Sequence, residues 1–161
     1  MDEIELQIPD SLDGSSINQL VAQSPPLDTN STYCNLLQCI HFSDTSIIAK
    51  KSGKPVGFVS GYMIPRKACT LFIWQVVVSA EARGQGLALR MLCELLQRGH
   101  SEEVRFLETT ITKENEASWA LFRKLAKELS AKLEVSVAFD KETHFFGEHE
   151  TEHLVRIGPF N

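Results

Sequence analysis

The sequence predicts an α+β fold of the α/β/α type, in which a mixed, mostly antiparallel central sheet of about six to seven strands carries helices on both faces. With 161 residues, 43% of them hydrophobic, the chain has the size of one domain and can bury a full core. The stretch 70–98 changes from an uncharged β-branched and aromatic run to helical spacing, which indicates a strand, a turn and a helix. The other segments complete the order β, α, α, three strands, α, β, α, β, β.

The first part of the chain has the patterns of a strand, two helices and a hairpin. Apolar and polar residues alternate at the start, as in a strand. Two segments with helical spacing follow, each preceded by residues that can cap a helix. Two β-rich runs come next, and Ser52-Gly53 between them predicts a hairpin turn. These elements are predicted at 4–8, 10–24, 31–40, 46–51 and 55–64.

The central strand is predicted at Thr70 to Val78, a run with almost no charge that is typical of burial on both faces of a sheet. From Leu87 onward apolar residues recur at helical intervals, so an amphipathic helix follows the strand. The remaining elements are predicted as a strand at 104–110, a helix at 115–130 and two last strands at 133–139 and 154–157. No linker divides the chain, so a single domain is expected over 1–161.

The segment between the central strand and its helix reads Arg83-Gly84-Gln85-Gly86-Leu87-Ala88. Gly84 and Gly86 lack a Cβ, so backbone N–H groups can approach an anion closely where the positive end of the helix dipole begins. The segment therefore predicts a pyrophosphate-binding loop. It does not fit the dinucleotide motif G-x-G-x-x-G, because Leu89 occupies the last position, and it lacks the Lys of a P-loop. An ordinary glycine-containing turn is the alternative.

Charge and composition exclude several function classes. The formal net charge of −5 argues against a nucleic-acid groove and an anionic membrane surface, and it favours a cationic ligand. No apolar run approaches the ~20 residues of a membrane span, and the chain begins with acids instead of the bases of a signal peptide, so a cytoplasmic protein is expected. The four cysteines form no C-x-x-C pair. Buried reduced thiols are favoured over a metal site or a nucleophile at Cys39 beside His41.

The pattern R-x-x-G-x-A at Arg83, Gly86 and Ala88 resembles the coenzyme A pyrophosphate loop of the GNAT N-acetyltransferases, and the predicted element order matches that family. The resemblance implies acetyl-CoA as cosubstrate and a coenzyme contact at Asn115, for which a simple helix cap is the alternative. Many members have a Tyr that protonates the leaving thiolate, but this chain has Phe122, so no general acid is predicted. The implied coenzyme-binding residues are Val76 and Val78, through their main chain, and Arg83, Gly84, Gln85, Gly86, Leu87, Ala88 and Asn115.

Several segments match one group of GNAT enzymes more closely. They resemble the L-2,4-diaminobutyrate acetyltransferases of ectoine synthesis, an osmoadaptation pathway. The resemblance implies transfer of acetyl to the γ-nitrogen of L-2,4-diaminobutyrate, giving N4-acetyl-L-2,4-diaminobutyrate, without a metal. It also implies a homodimer that pairs through the late strands, with no nucleic-acid or membrane partner. The matching segments are LDTNSTYCNLLQCIHFSDTSIIA, GFVSGYMIPR, TLFIWQVVV, RFLETTIT and GEHETEHLVRIGPF.

The implied substrate carries two ammonium groups and one carboxylate, so its site is expected to offer more acids than bases. The resemblance assigns the substrate site to Asp28, Tyr33, Trp74, His149 and Glu152. An alkylammonium of pKa about 10 is almost fully charged at pH 7, so a base must take its proton directly or through water. Glu152 is expected in that role, Asp28 as an ammonium anchor, and Trp74 as a wall beside the cation.

Other roles at the site remain open in the sequence. Glu108, at a predicted strand end, is a second catalytic candidate. Arg66, Lys67 and Arg156 are all possible partners for the substrate carboxylate, and the sequence does not choose among them. Structural alternatives also exist: Trp74 as a core residue, Tyr33 as a helix residue packed on the sheet, and the late acids and histidines as a solvated loop.

Three other functions compete with this interpretation. An acetyltransferase of the same fold that acts on protein or peptide amines would need an open groove. A non-catalytic acyl-CoA-binding module is favoured a little by Phe122. A structural protein with a fortuitous glycine turn is disfavoured by the agreement of so many segments.

Overall fold

The computed structural model describes residues 3–25, 27–98 and 103–160, and their elements follow the predicted order. The strands are β1 (Ile4–Gln7), β2 (Ile47–Lys51), β3 (Lys54–Met63), β4 (Thr70–Val78), β5 (Phe106–Thr112), β6 (Leu133–Phe139) and β7 (Glu152–Ile157). The α-helices are α1 (Gly14–Ala22), α2 (Thr32–Ile40), α3 (Leu87–Gln97) and α4 (Glu116–Glu128).

The described strands form a seven-stranded sheet in the order β1-β2-β3-β4-β5-β7-β6. β4 and β5 run parallel, whereas the pairs β1–β2, β2–β3, β5–β7 and β6–β7 are antiparallel. The prediction of a mixed, mostly antiparallel α+β fold is therefore confirmed.

The chain divides into two compact units. The described residues of the first unit are 3–25, 27–62 and 73–98, and those of the second unit are 63–72 and 103–160. The chain passes from one unit to the other inside β3 and inside β4. A single folding domain over the whole chain stays a prediction.

The first unit buries both faces of its strands under helices. Phe58 of β3 belongs to a buried cluster with Ile17, Leu20, Val21, Cys39, Ile48 and Val77, which lie on α1, α2, β2 and β4. A Cβ on the adjacent Gly57 would lie 2.9 Å from the methyl carbon of Met91 and 3.2 Å from Leu87, both on α3. Because successive residues of a strand face opposite sides, α1 and α2 cover one face and α3 covers the other.

The second unit positions β5 between β7 and the first residues of β4. Residues Thr70, Leu71 and Phe72 pair in parallel with Phe106, Leu107 and Glu108. Along β5 and β7 the antiparallel register pairs Glu108 with Arg156, and Thr112 with Glu152. Leu107 and Val155 on these strands and Leu125 on α4 are fully buried.

Three features differ from the sequence prediction. The run Thr70–Val78 is a strand with predicted bounds, but its burial alternates and Trp74 is exposed, so it is not buried on both faces. β7 begins at Glu152 instead of Leu154, because backbone pairing with Thr112 continues the strand through polar residues that carry no apolar pattern. Glu108 is the third residue of β5 and is buried, rather than lying at a strand end.

Candidate functional site

The predicted anion-binding loop connects β4 to α3 in the first unit. A short 3-10 turn at Ala80–Ala82 precedes it, and α3 begins directly after Gly86. Gly84 and Gly86 have φ angles of 77° and 73°, in the left-handed region that strains residues with a Cβ. A Cβ built on either glycine meets nothing within 4 Å. The turn therefore requires glycine for its backbone conformation, and a ligand can approach that backbone closely.

The N-terminus of α3 supplies the donors of this loop. Its first helical hydrogen bond runs from the N–H of Arg90 to the carbonyl of Gly86, at 3.0 Å. The N–H groups of Leu87, Ala88 and Leu89 precede that bond and have no acceptor inside the helix. Arg83 has an exposed side chain whose Nε donates to the carbonyl of Val78 at 3.2 Å. Helix dipole, backbone N–H groups and a guanidinium together suit a diphosphate.

Val76 and Val78 are half-buried residues of β4 that lead into this loop. They are two positions apart, so their main-chain groups face the same edge of the strand. An extended chain can bind such an edge by main-chain hydrogen bonds. This placement fits the predicted pairing with a pantetheine arm.

Trp74 belongs to an aromatic group in the first unit. Its side chain is 43% exposed, which disagrees with the alternative that it is a core residue. The ring of Tyr62 lies edge-on to it with ring centroids 6.0 Å apart, and Phe42 lies 5.7 Å from Tyr62. Burial raises the pKa of the Tyr62 hydroxyl. The sequence analysis did not single out Tyr62, because one aromatic residue near the end of a hairpin strand is a weak signal of a functional site.

Asp28 and Tyr33 flank the start of α2. The side chain of Gln75, next to Trp74 in β4, donates from Nε2 to the carbonyl of Asp28 at 3.2 Å. Asn18 of α1 donates to the carbonyl of Asn30 at 2.7 Å, which holds the same connection. The structure thus ties the Asp28 loop to β4 beside Trp74. Tyr33 is 69% exposed on α2, so it does not pack on the sheet.

Glu108 lies in a charged cluster of the second unit. Its side chain is 3% exposed, and its Oε2 is 2.5 Å from Nζ of Lys67. Nη1 of Arg156 donates to the same oxygen. The guanidinium of Arg156 also lies 3.8 Å from the ring centroid of Phe106. A carboxylate buried this deeply needs such cationic partners. Of the three bases left open by the sequence, Lys67 and Arg156 are therefore brought together.

His149 and Glu152 come close together at the start of β7. Nε2 of His149 is 4.0 Å from Oε1 of Glu152, and their side chains are 35% and 21% exposed. Nδ1 of His149 lies 2.7 Å from the carbonyl oxygen of Glu150, and the ring of Phe145 lies tilted against the imidazole with the ring centroids 4.5 Å apart. Because Glu152 is a strand residue paired with Thr112, its main chain is fixed. The pair can therefore take up or orient a proton at a defined position.

The segment between β6 and β7 is organised by Asp140. Its Oδ2 accepts hydrogen bonds from the N–H groups of Glu142 and Thr143, at 2.9 and 2.8 Å. These backbone hydrogen bonds lower the pKa of Asp140, and the bond from Thr143 has the largest effect. Nζ of Lys141 contacts Oε1 of Glu150 at 3.0 Å. This segment is a structured loop, although its acids remain exposed as the solvated-loop alternative expects.

Asn115 acts as the N-cap of α4. Its Oδ1 accepts from the N–H of Ser118 at 3.2 Å, which is the helix-cap alternative of the sequence analysis. Phe122, at the position where many GNAT enzymes have a Tyr, is 2% exposed.

A cavity of about 610 Å³ lies beside α4 in the second unit. It is lined by Lys113, Glu116, Trp119, Arg123, Val135 and His153.

The thiol of Cys39 is poorly placed to act as a nucleophile. Cys39 is 1% exposed, and burial together with the charges of Asp13 and Asp10 raises its pKa to about 12. A nucleophilic thiolate at this position is therefore disfavoured. Over the described residues, His, Cys, Asp and Glu nowhere gather in a group of three or more that could hold a metal ion. Within the same ranges, each helix is too short or too polar to span a bilayer.

Comparison with known proteins identifies the family. The acetyltransferase (GNAT) family matches this chain over residues 16–126. The chain belongs to the GNAT acetyltransferase family. The loop at 83–88, the element order and the R-x-x-G-x-A pattern are thus those of a GNAT protein, and the predictions of family and of acetyltransferase class are confirmed.

Individual GNAT proteins resemble the chain over nearly its full length. An L-2,4-diaminobutyric acid acetyltransferase from Methylotuvimicrobium alcaliphilum is 52% identical over 157 residues, 98% of this chain and 91% of the relative. Another of that name, from Vibrio parahaemolyticus, is 53% identical over 145 residues, 90% of this chain and 80% of the relative. The solved structure of diaminobutyrate acetyltransferase EctA from Paenibacillus lautus, in complex with its substrate L-2,4-diaminobutyric acid and coenzyme A, is 40% identical. It covers 100% of this chain and 98% of its own, with a TM-score of 0.94.

Each unit of this GNAT chain contains its own set of predicted site residues. The first unit holds the loop 83–88 together with Asp28, Tyr33, Trp74, Val76 and Val78, and the second holds Glu108, Asn115, His149 and Glu152. The roles of these residues remain predictions.

Proposed function

We propose that this protein transfers the acetyl group of acetyl-CoA to the γ-amine of L-2,4-diaminobutyrate, giving N4-acetyl-L-2,4-diaminobutyrate, the acetylation step of ectoine synthesis in osmoadaptation. One observation carries the proposal. The Paenibacillus lautus enzyme solved with L-2,4-diaminobutyric acid and coenzyme A matches the whole chain with a TM-score of 0.94. The relatives from Methylotuvimicrobium alcaliphilum and Vibrio parahaemolyticus have the corresponding activity in their names.

The reaction requires a base for the amine, donors for the oxyanion and a thiolate that can leave. The neutral γ-amine attacks the thioester carbonyl carbon, the carbon–sulfur bond breaks, and coenzyme A leaves as a thiolate. The amine proton passes to a base, and backbone N–H groups stabilise the oxyanion that forms on the carbonyl oxygen. A thiol of pKa about 8.5 leaves without a strong acid, so Phe122 in place of a Tyr does not prevent the reaction.

Acetyl-CoA binding is assigned to residues of the first unit. The N–H groups of Leu87 and Ala88, together with the guanidinium of Arg83, receive the pyrophosphate. Val76 and Val78 pair with the pantetheine arm through their main chain. Gly84 and Gly86 allow the close approach of the phosphates, and Gln85 lies between them. In the second unit, the side chain of Asn115 accepts from the N–H of Ser118 and caps α4, and its coenzyme contact stays a prediction.

The proton acceptor is assigned to Glu152 in the second unit. Its carboxylate is partly exposed, and His149 lies 4.0 Å away, where it can orient Glu152 or the substrate. The second catalytic candidate, Glu108, uses its charge to hold Lys67 and Arg156. We therefore favour Glu152 over Glu108 as the base. Asp28 and Tyr33, with the exposed face of Trp74, remain the proposed substrate contacts of the first unit.

The decisive experiment measures thiol release from acetyl-CoA with L-2,4-diaminobutyrate, and in parallel with ornithine, lysine and a peptide. Turnover confined to diaminobutyrate, with NMR of the product placing acetyl on the γ-nitrogen, is the expected result. Turnover with the peptide would support the protein-acetylating alternative. Coenzyme binding without any turnover would support a non-catalytic acyl-CoA-binding module.

A homodimer is proposed on the basis of the late strands. On β6, Val135, Val137 and Phe139 are 52%, 57% and 49% exposed, an apolar stripe that a second copy of the chain could cover. Sedimentation of the wild-type protein and of Val137→Asp tests this assignment. Dimers are expected for the wild type and monomers for the variant, and a purely monomeric wild type would overturn the proposal.

A cytoplasmic location and a single folding domain are also proposed. All four cysteines are free thiols, which suits a reducing compartment. Cell fractionation tests the location. One calorimetric unfolding transition, with equal calorimetric and van't Hoff enthalpies, is expected for a single domain, and two transitions would indicate two.

A further inference from the structure

We propose that Lys67 and Arg156, held together by the buried carboxylate of Glu108, bind the α-carboxylate of the diamino acid. This inference rests on the proposed function and adds the residues that distinguish an amino acid from a plain diamine. It also assigns Glu108 as a positioning residue that acts through the two cations.

The charges of the cluster favour an anionic ligand. Lys67 and Arg156 both contact Oε2 of Glu108, so two cations face one carboxylate. One unit of positive charge is left over within this group of three, because Glu134, which lies opposite Arg156 on β6, is paired with Lys132. The side chains of Lys67 and Arg156 are 43% and 25% exposed, whereas that of Glu108 is 3% exposed. The anion is thus covered and the cations remain accessible.

Arg156 has the donors and the rigidity that carboxylate binding requires. A guanidinium has five N–H donors, and the bond to Glu108 uses one of them. The planar group lies 3.8 Å from the ring centroid of Phe106, which fixes its orientation. A fixed guanidinium can bind a carboxylate through two parallel hydrogen bonds. Lys67 adds a point charge from the turn before β4.

The register of β7 relates this cluster to Glu152 within the same unit. Glu152 and Arg156 are four residues apart on β7, so their side chains leave the same face, about 13 Å apart along the strand. The long side chains of Glu152 and Arg156 can each reach toward the other, so their charged groups can come closer than their main chains. A diamino acid whose γ-amine reaches Glu152 can therefore extend along β7 with its carboxylate toward Arg156. Arg66, the third candidate, takes no part in the ion pairs described for Glu108.

The test compares two substrates, L-2,4-diaminobutyrate and its primary amide, which lacks the negative charge. The readout is the ratio of kcat/KM for the acid to that for the amide. We expect wild type to prefer the acid by about 10- to 100-fold, the worth of a charge-assisted hydrogen bond. Lys67→Met should lower this ratio at least several-fold through KM for the acid, with little change for the amide.

Two further variants separate charge from fold. Lys67→Arg keeps the cation and should restore most of the preference. Arg156→Lys keeps the charge but loses the planar fork, so it should lower the ratio at least as much as Lys67→Met does. Lys54→Met is the matched control, because Lys54 forms an exposed ion pair with Glu81 in the first unit and touches no member of the cluster in that pair, and its ratio should equal that of wild type.

The outcomes distinguish this inference from the proposed function. Wild type that acetylates neither substrate would contradict the proposed function itself. Wild type that acetylates both equally, or a Lys67→Met variant that keeps the wild-type ratio, would overturn the carboxylate assignment while the acetyltransferase activity stands. A loss of kcat for both substrates in Lys67→Met would show a general structural role and would also overturn it.

Discussion

The loop at 83–88 in the first unit and the charged groups of the second unit are built on different principles. The loop relies on backbone conformation: two glycines with positive φ and the N–H groups of a helix start within six consecutive residues. The second unit relies on side chains brought together by strand register, such as Glu108 and Arg156, which are 48 residues apart in sequence. A backbone site tolerates many side-chain changes, whereas a side-chain site depends on single atoms.

The largest effect is expected at the proposed base. Glu152→Gln keeps the size of the side chain but removes its ability to accept a proton, so kcat should fall by about 100-fold or more. The KM for acetyl-CoA should stay nearly unchanged, as measured by steady-state kinetics and by coenzyme titration. Loss of coenzyme binding in this variant would contradict the assignment of Glu152 to the amine.

A backbone change should affect the loop instead. Gly86→Val places a β-branched residue at φ 73°, which strains the turn and projects a side chain toward the ligand. We expect KM for acetyl-CoA to rise about tenfold or more, corresponding to a strain of about 1–3 kcal/mol. Gly53→Val is the control, because Gly53 has φ 77° in the β2–β3 turn and also faces open space. Equal coenzyme affinity in wild type and Gly86→Val would contradict the pyrophosphate assignment.

A smaller effect is expected at Trp74, where a side chain of the first unit is proposed to contact the substrate. Trp74→Leu removes the aromatic face and should raise KM for diaminobutyrate by about 2- to 30-fold, the range of a cation–π contact. The KM for acetyl-CoA should change little. Trp119→Phe, in the second unit, should leave the KM for diaminobutyrate as in wild type. A change of the same size in both variants would argue against a direct contact at Trp74.

The smallest effect is expected from low pH on the loop around Asp140. Backbone hydrogen bonds lower the pKa of Asp140 below 3.8 in the folded protein. The stability that the ionised carboxylate contributes is therefore complete above the pKa of the unfolded chain, and it is lost as pH falls through the pKa of the folded protein. The amide protons of Glu142 and Thr143 should therefore report a titration midpoint below 3.8 by NMR. Asp140→Asn should abolish that titration. A midpoint at or above the ordinary aspartate value would contradict the hydrogen bonds described here.

The contrast between the two units also explains what the sequence could predict. The bounds of Thr70–Val78 and Leu133–Phe139 match the observed strands, because apolar β-rich runs show their length directly. The loop at 83–88 was equally visible, since glycine spacing is a local signal. Both features are encoded within a few consecutive residues.

Features that depend on strand pairing escaped the sequence analysis. Glu152 belongs to β7 only because its backbone pairs with Thr112, and the polar residues there show no alternation. The selection of Lys67 and Arg156 over Arg66 depends on the register that places Arg156 opposite Glu108. Tyr62 beside Trp74 is likewise a contact between two strands. Sequence patterns reveal elements, but register decides which side chains meet.

The two tryptophans of the chain fall one in each unit, and this gives the protein two built-in optical probes. Trp74 is 43% exposed, so its fluorescence belongs at the long-wavelength side of the emission. Trp119 is partly buried, and its indole N–H donates to the carbonyl of Thr112 at 3.0 Å, so it emits at shorter wavelength. Comparing the emission spectra of wild type, Trp74→Leu and Trp119→Phe therefore assigns each part of the emission to one half of the molecule.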